Sequence, residues 1–145
     1  MTKVAVVTGS SSGIGFETSL LLAKNQFKTY ATMRNLNKSH VFDTALKEEI
    51  PLSVMPLDVN DEASVTCAMN NILKENGRID ALVNNAGYSI FGSLEELSLE
   101  EIKQEFETNF FGAVRVTKAV IPTMRKNSGG TIVNVSSIGG KVGLL

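Results

Sequence analysis

The chain has 145 residues, 43% hydrophobic and 20% charged, with a formal net charge of -1 at pH 7. This length and balance predict one globular domain and exclude a disordered chain, and the near-neutral charge argues against a nucleic-acid partner. No apolar run approaches the ~20 residues of a membrane span, and the N-terminus lacks the apolar segment and cleavage site of a signal peptide. We therefore expect a cytoplasmic protein without a membrane partner.

The first half of the chain alternates between predicted strands and helices. Residues 3–8 form a continuous apolar and β-branched run that is typical of a buried parallel strand. A Gly/Ser turn follows, and then a helix from about 14 to 25. The face of this helix that is expected to pack on the sheet carries Ile14, Thr18, Leu21 and Leu22. Residues 27–33 are the second predicted strand, 41–49 a short helix and 52–57 the third strand.

The next predicted helix has clear signals at both ends. Asp61 is expected to cap it, and Gly77 is expected to end it after residue 76. Cys67, the only cysteine, lies in this helix among apolar residues, and we expect a buried structural thiol rather than a reactive one. A single cysteine also excludes an internal disulfide. Residues 80–84 are the fourth predicted strand.

The last predicted helix is long. Ser98 with Glu101 three residues later forms a capping box, and helical spacing of apolar residues continues towards residue 124, with Pro122 expected to kink the end. Residues 131–136 are the fifth strand. Strands separated by helices imply right-handed crossovers and a parallel sheet. The sequence therefore predicts an α/β fold, a Rossmann-type doubly wound sheet in strand order 3-2-1-4-5, over residues 1–145.

A Gly-rich turn, Thr-Gly-Ser-Ser-Ser-Gly-Ile-Gly over residues 8–15, lies between the first strand and the first helix. Glycine permits a tight turn, close approach of backbone to a pyrophosphate, and close helix–strand packing, while the helix N-terminus favours an anion. An ordinary tight turn is the alternative, and a P-loop is excluded because no Gly-Lys-Ser/Thr follows. The predicted cofactor contacts are Gly9, Ser11, Ser12, Gly13, Ile14 and Gly15.

Four segments resemble motifs of the short-chain dehydrogenases/reductases, and all four belong to the N-terminal part of proteins in that family. The Thr-Gly-x-x-x-Gly-x-Gly spacing is the first, and Asn-Asn-Ala-Gly over 84–87 is the second. Asn109 in the long helix and Val-Asn-Val-Ser-Ser over 133–137 are similar to the third and fourth. Several segments are similar to members acting on steroids and retinoids, which leaves the substrate open. The resemblance spans the whole chain.

The resemblance implies roles for particular residues. Asp58 would accept from the adenine amino group with Val59 packed nearby, although Asp58 alone is equally typical of a helix-flanking cap. Ser137 would hydrogen-bond the substrate oxygen, and Asn109 would bend the long helix and hold a water in the proton relay. The backbone expected to line the cofactor belongs to Asn85, Ala86 and Gly87.

The residues after the second strand predict which nicotinamide cofactor binds. NAD-specific folds usually place an acid about 20 residues beyond the Gly-rich turn, but here Met33 occupies that position and Arg34 and Asn35 follow. A guanidinium can pair with a 2′-phosphate. We therefore predict that NADP(H) is preferred and NAD(H) possible, the alternative for Arg34 being a solvated cation at a strand end.

The resemblance also implies a Tyr-x-x-x-Lys pair that supplies the proton. The tyrosines present are Tyr30 and Tyr88, followed four residues later by Arg34 and Gly92. We therefore expect the pair to lie beyond Leu145, and the chain to be the cofactor-binding fragment of an oxidoreductase for a carbonyl or alcohol substrate, inactive by itself. A noncatalytic nucleotide-binding or regulatory module is the alternative.

Such a fragment is expected to leave apolar surface without cover. The fifth strand becomes a sheet edge, and Phe106 and Phe110 on the long helix are expected to be exposed. A homo-oligomer, or association with a complementary C-terminal fragment, follows as the expected state. His40, the only histidine, lies in a polar connection and is expected on the surface, so no metal site is predicted.

Overall fold

A computed structural model describes residues 2–38, 41–47 and 50–142. Five parallel strands form one sheet in the order β3-β2-β1-β4-β5, as predicted. Each strand lies one or two residues inside its predicted range, and the bounds are β1 Val4–Val7, β2 Lys28–Met33, β3 Leu52–Pro56, β4 Ala81–Asn84 and β5 Thr131–Asn134. The carboxyl ends of parallel strands meet at one edge, which is where doubly wound sheets bind ligands.

Helices connect the strands. Their bounds are α1 Gly13–Lys24, α2 Val41–Lys47, α3 Glu62–Asn76, α4 Leu99–Phe106 and α5 Ala113–Lys126. Short 3₁₀ turns cover Leu36–Lys38 and Ile138–Gly140. The predicted end of α2 at residue 49, His40, and the last residues 143–145 lie outside the described residues. No described helix has both the length and the apolar character to cross a membrane.

The helix ends that were predicted from local capping residues are confirmed for α3 and α4. The Asp61 carboxylate accepts from the Ala63 amide at 2.8 Å and so caps α3, and Gly77 ends that helix in the left-handed conformation at φ 72°. Ser98 and Glu101 form the predicted capping box of α4. Since the cap of α3 is Asp61, the Asp58 carboxylate is left for another role and accepts from the Asn60 amide at 2.9 Å.

The predicted packing face of α1 is wrong. Ile14 and Leu21 are each 63% exposed, and the buried positions are instead Gly15, Ser19, Leu20 and Ala23. Small residues at four-residue spacing let the helix approach the sheet closely, which a pattern built on large apolar residues does not detect.

The predicted burial of Cys67 is also wrong, because its side chain is exposed. The buried face of α3 carries Val65, Ala68, Met69 and Ile72. At 3.6 residues per turn, a residue two positions after Val65 points away from that face.

The predicted long helix contains a π-helical segment, Glu107–Gly112, between α4 and α5. Single-turn π segments insert one extra residue per turn and occur frequently at functional sites. Pro122 lies inside α5, which continues to Lys126.

One main apolar core lies between the sheet and helices α3 and α5. It contains the fully buried Val6, Leu82, Ile72 and Val116. In contrast, all four residues of β5 are exposed, as are the side chains of Phe106 and Phe110. The sheet edge and the apolar surface expected from the sequence are therefore both present.

Polar side chains below the amino ends of the strands, away from the edge formed by their carboxyl ends, are hydrogen-bonded to one another. The Tyr30 hydroxyl donates to Glu75 at 2.6 Å, and burial raises the pKa of Tyr30, with the Glu75 hydrogen bond raising it further. Burial also acts to raise the pKa of Asp80, but the Arg78 guanidinium and the Val4 amide outweigh it and hold that pKa below its ordinary value. A tyrosine with a raised pKa is a poor proton-transfer group near neutral pH.

Candidate nucleotide-binding site

The Gly-rich turn between β1 and α1 is held by backbone and side-chain bonds. The Ser10 amide donates to the Thr32 carbonyl and the Ser10 hydroxyl to the Val7 carbonyl, each at 2.9 Å. Gly9 and Gly13 adopt φ values of 66° and 58°, which side chains rarely adopt. The turn is thereby fastened to the ends of two neighbouring strands.

The three glycines of the turn serve different purposes. A Cβ on Gly9 would lie 2.7 Å from the Ala86 Cα, and one on Gly15 would lie 2.4 Å from both the Asn85 side-chain nitrogen and the Gly9 carbonyl oxygen, so both positions require glycine for close packing. A Cβ on Gly13 would meet nothing within 4 Å. Gly13 therefore borders open space, at the start of α1.

The start of α1 keeps its amides available. Ser12 occupies the N-cap position but makes no side-chain cap hydrogen bond, and no acidic residue lies in the first turn. Uncapped amides and the helix dipole together favour an anion at this end. Open space at Gly13 lies beside these amides and forms an open cradle of the kind that favours an anion.

A second loop follows β4 and is bonded to the turn. The buried Thr8 hydroxyl oxygen accepts from the amides of Asn85 and Ala86, each at 3.0 Å. The Asn85 side-chain amide donates back to the carbonyls of Thr8 and Gly9, each at 3.0 Å. Thr8 was not among the predicted contacts, yet its hydroxyl fixes the distance between the turn and the loop over residues 85–87.

The predicted residues on this side come together in one cleft. A cleft of about 460 Å³ at the carboxyl ends of β4 and β5 is lined by Ile14, the loop 85–87, Asn109 and Ser137. Ser137 lies at the start of the 3₁₀ turn, where its hydroxyl oxygen accepts from the Gly139 amide at 3.1 Å. The two predicted catalytic residues therefore line the same cleft as the loop over residues 85–87.

Asn109 lies in the π segment and bonds the loop after β4. Its side-chain oxygen accepts from the Tyr88 amide at 3.0 Å and its nitrogen donates to the Tyr88 carbonyl at 2.7 Å. A Cβ on Gly87 would lie 2.9 Å from that oxygen. The side chain of Asn109 thus docks the loop against the helix, in addition to lining the cleft.

Of the other predicted contacts, Arg34 lines a second cleft. Arg34 is exposed after β2 and lines a cleft of about 330 Å³ together with Asn60 and Glu107. The Asn35 side chain accepts from the Asn37 amide at 2.9 Å and shapes the turn there. Val59 has its side chain in the core, and the Asp58 amide donates to the Ser64 hydroxyl at 2.9 Å.

Comparison with known proteins now decides the family. The family model described as short chain dehydrogenase matches residues 3–145. The chain belongs to the short-chain dehydrogenase family. Within the part of the chain that the structure describes, no group of three His, Cys, Asp or Glu side chains could hold a metal.

Short-chain dehydrogenases of known name are similar over nearly the whole chain. Retinol dehydrogenase 8 from Bos taurus is 43% identical, matching 99% of this chain and 47% of that protein. A 3-ketodihydrosphingosine reductase from Bacteroides thetaiotaomicron is 38% identical, matching 98% of this chain and 49% of that protein. The chain spans about half the length of the curated relatives it matches.

Solved short-chain dehydrogenase structures share the fold. A variant actinorhodin polyketide ketoreductase with NADPH has a TM-score of 0.94 at 31% identity, covering 99% of this chain and 56% of that one. A metagenomic short-chain oxidoreductase in complex with NADP has a TM-score of 0.90 at 28% identity, covering 98% and 65%. The cradle at Gly13 therefore occurs in a fold whose neighbours include nicotinamide-dinucleotide complexes.

Proposed function

We propose that this chain, as one domain over residues 1–145, is the cofactor-binding part of an oxidoreductase that uses NADP(H) on a carbonyl or alcohol substrate. The observation that carries the proposal is the joint placement of the open cradle at Gly13, the loop after β4, and the Asn109 and Ser137 side chains at one sheet edge. The printed names of relatives support the class, since they include a retinol dehydrogenase and a 3-ketodihydrosphingosine reductase.

Each part of the site has a task in this proposal. The turn amides near Gly13 bind the pyrophosphate, with Ser11 and Ser12 as additional donors, and the backbone of 85–87 lines the nicotinamide ribose. The bound nicotinamide supplies or accepts the hydride. The Ser137 oxygen accepts from the Gly139 amide, which leaves its hydroxyl proton free to be donated to the substrate oxygen in this proposal. Asn109 holds the cleft wall in place through Tyr88.

The preference for NADP(H) rests on the adenosine side. Arg34 is an exposed guanidinium beside the loop 58–60, where Asp58 and the backbone of Val59 contact the adenine in this proposal. Met33 ends β2 in the position where NAD-specific folds usually place an acid, so the end of β2 offers no carboxylate for ribose hydroxyls. NADPH and NADP in two neighbouring structures agree with this preference.

We propose that the proton-transfer pair of the reaction is not supplied by the tyrosines of this chain, because Tyr88, which lines the cleft with Ser137, is followed four residues later by Gly92 and not by a lysine. Tyr30 is buried in the middle of β2 with its hydroxyl bonded to Glu75 near the end of α3, whereas the cleft with Ser137 lies at the carboxyl ends of β4 and β5. We accordingly propose that turnover requires a tyrosine and a lysine from a segment corresponding to the other half of the relatives. A noncatalytic nucleotide-binding module is the second candidate, and the same position of Tyr30 favours it.

NADPH oxidation with a panel of ketones tests the function. We expect the 145-residue chain to bind NADPH without turning it over, and a form extended to the length of its relatives to show turnover that Ser137→Ala lowers without weakening NADPH binding. Turnover by the 145-residue chain would contradict its proposed inactivity. Binding without turnover in both forms would favour the noncatalytic module.

We also propose that the chain associates through its exposed edge. β5 pairs only with β4 among the described residues, and the exposed side chains near it include Val133 and Ile138. A free strand edge with apolar neighbours is a template for a second copy or a complementary C-terminal segment. Light scattering is expected to show dimers or larger species, and a monodisperse monomer across micromolar concentrations would contradict the proposal.

A further inference from the structure

Arg115, in the first turn of α5, makes contacts that the proposed roles leave unexplained. Its guanidinium donates to the Val59 carbonyl and, at 2.6 Å, to the Glu107 carboxylate, and it lies 3.7 Å from the Glu62 carboxylate. The Arg115 side chain is 19% exposed, whereas Glu62 is 85% exposed. Arginine presents its donors in a planar fork, so one side chain can hold a carbonyl and a carboxylate in fixed relative positions.

The loop held by Arg115 is the adenosine-side loop over residues 58–60. The same loop is fastened a second time, since the Asn60 side chain donates to the Thr108 hydroxyl at 2.8 Å. Val59 also packs so tightly on Gly112 that a Cβ there would lie 2.7 Å from the Val59 methyl. Arg115 is therefore part of the contact that sets the distance between this loop and the π segment.

The carboxylate held by Arg115 belongs to the cleft that contains Arg34. Glu107 lines that cleft together with Arg34, Asn60 and Thr108. An unpaired carboxylate there would attract Arg34 and repel a phosphate, or would accept hydrogen bonds from ribose hydroxyls. With Arg115 in place, the Glu107 charge is paired and turned towards α5, so that Arg34 remains available to an anion.

We infer that Arg115 is a positioning residue that sets cofactor preference: it holds the Val59 carbonyl and pairs with Glu107, keeping the Arg34 cleft selective for a 2′-phosphate. The inference rests on the proposed NADP(H) site and deepens it. Arg115 touches neither the cofactor nor the substrate in this scheme. Its removal shifts preference towards NAD(H), because it releases a carboxylate and loosens the adenosine-side loop together.

A set of four variants tests this role through the ratio of NADPH to NADH dissociation constants. The variants are Arg115→Met, Glu107→Gln, the double variant, and Arg125→Met as a matched removal of an exposed cation on α5. Arg115→Met is expected to weaken NADPH binding about tenfold, which is the equivalent of about one charge-assisted hydrogen bond between Arg34 and the 2′-phosphate. The effect on NADH binding is expected to be smaller. Adding Glu107→Gln is expected to restore much of the ratio, and Arg125→Met to leave it unchanged.

If Arg115 only stabilises the fold, Arg115→Met is expected to give a different result. It would lower the melting temperature and weaken both cofactors equally, and the added Glu107→Gln would restore nothing. That result, with the parent chain preferring NADPH, would overturn the inference alone. A parent chain that binds neither cofactor, or prefers NADH, would overturn the proposed NADP(H) site itself. Hydrogen exchange at residues 58–60 in the free chain provides the check without cofactor, since Arg115→Met is expected to increase exchange there and Arg125→Met is not.

Discussion

Replacing Gly13 with alanine is expected to leave the fold in place and to weaken dinucleotide binding by about 100-fold or more. The added methyl meets no protein atom within 4 Å, and in the proposed binding mode it competes with the pyrophosphate for the open space beside the turn. Displacing that group from two turn amides removes two charge-assisted hydrogen bonds of about 1.5–3 kcal/mol each, which corresponds to about 100-fold or more in the dissociation constant. Fluorescence titration with NADPH measures the change.

Gly77→Ala is the matched control for this prediction. Gly77 has φ 72°, close to the 58° of Gly13, and a Cβ there also meets nothing within 4 Å, but it lies at the far end of α3. Both substitutions carry the cost of a left-handed alanine, about 1–2 kcal/mol, and so both lower the melting temperature similarly. Equal NADPH binding by the two variants would show that the open space at Gly13 is not the pyrophosphate cradle.

Elements with local signals could be predicted from the sequence. The five strands follow from short apolar runs, and the ends of α3 and α4 follow from Asp61, Gly77 and the Ser98–Glu101 capping box. These signals act within a few residues of the backbone they shape, so no tertiary information is needed. The Gly-rich turn belongs to the same group, because Gly9 and Gly13 supply the positive φ values that the turn requires.

Features decided by tertiary contacts were not predicted. The packing face of α1 is set by how closely Gly15 and Ser19 let it approach the sheet, and side-chain hydrophobicity alone favours Ile14 and Leu21 instead. The contact of Arg115 with Val59 joins residues 56 positions apart. Nothing near Arg115 in the sequence identifies Val59 as its partner, and the two elements are brought together by the close packing at Gly112 and the Asn60–Thr108 hydrogen bond.

The candidate site illustrates both cases. Its glycines were predicted from a local motif and Asn109 and Ser137 from the family resemblance, whereas the Thr8 hydroxyl that fixes the loop after β4 was not predicted. A threonine at the end of a strand has an ordinary interpretation as a β-branched strand residue. Its importance depends on two backbone amides that arrive from another strand, 77 and 78 residues later.

Arg34→Ala is expected to weaken NADPH binding by about 10- to 100-fold, the equivalent of one or two charge-assisted hydrogen bonds to the 2′-phosphate, while NADH binding changes little. Arg34 is exposed at the end of β2, so its removal leaves no buried partner unsatisfied and the fold is unaffected. Isothermal titration of both cofactors measures the two dissociation constants. Arg125→Ala serves as the control for the loss of one exposed positive charge.

The comparison of Arg34→Lys with Arg34→Ala separates charge from geometry. Lysine keeps the positive charge but has no planar fork, so partial recovery of NADPH binding indicates a long-range electrostatic contribution, and none indicates bidentate recognition. The salt dependence provides a second criterion, because an exposed phosphate–guanidinium contact is screened over about 8 Å at physiological ionic strength. An NADPH affinity that changes with neither Arg34→Ala nor salt would refute the role of Arg34. Any preference for NADP(H) would then have to come from residues other than those that follow β2.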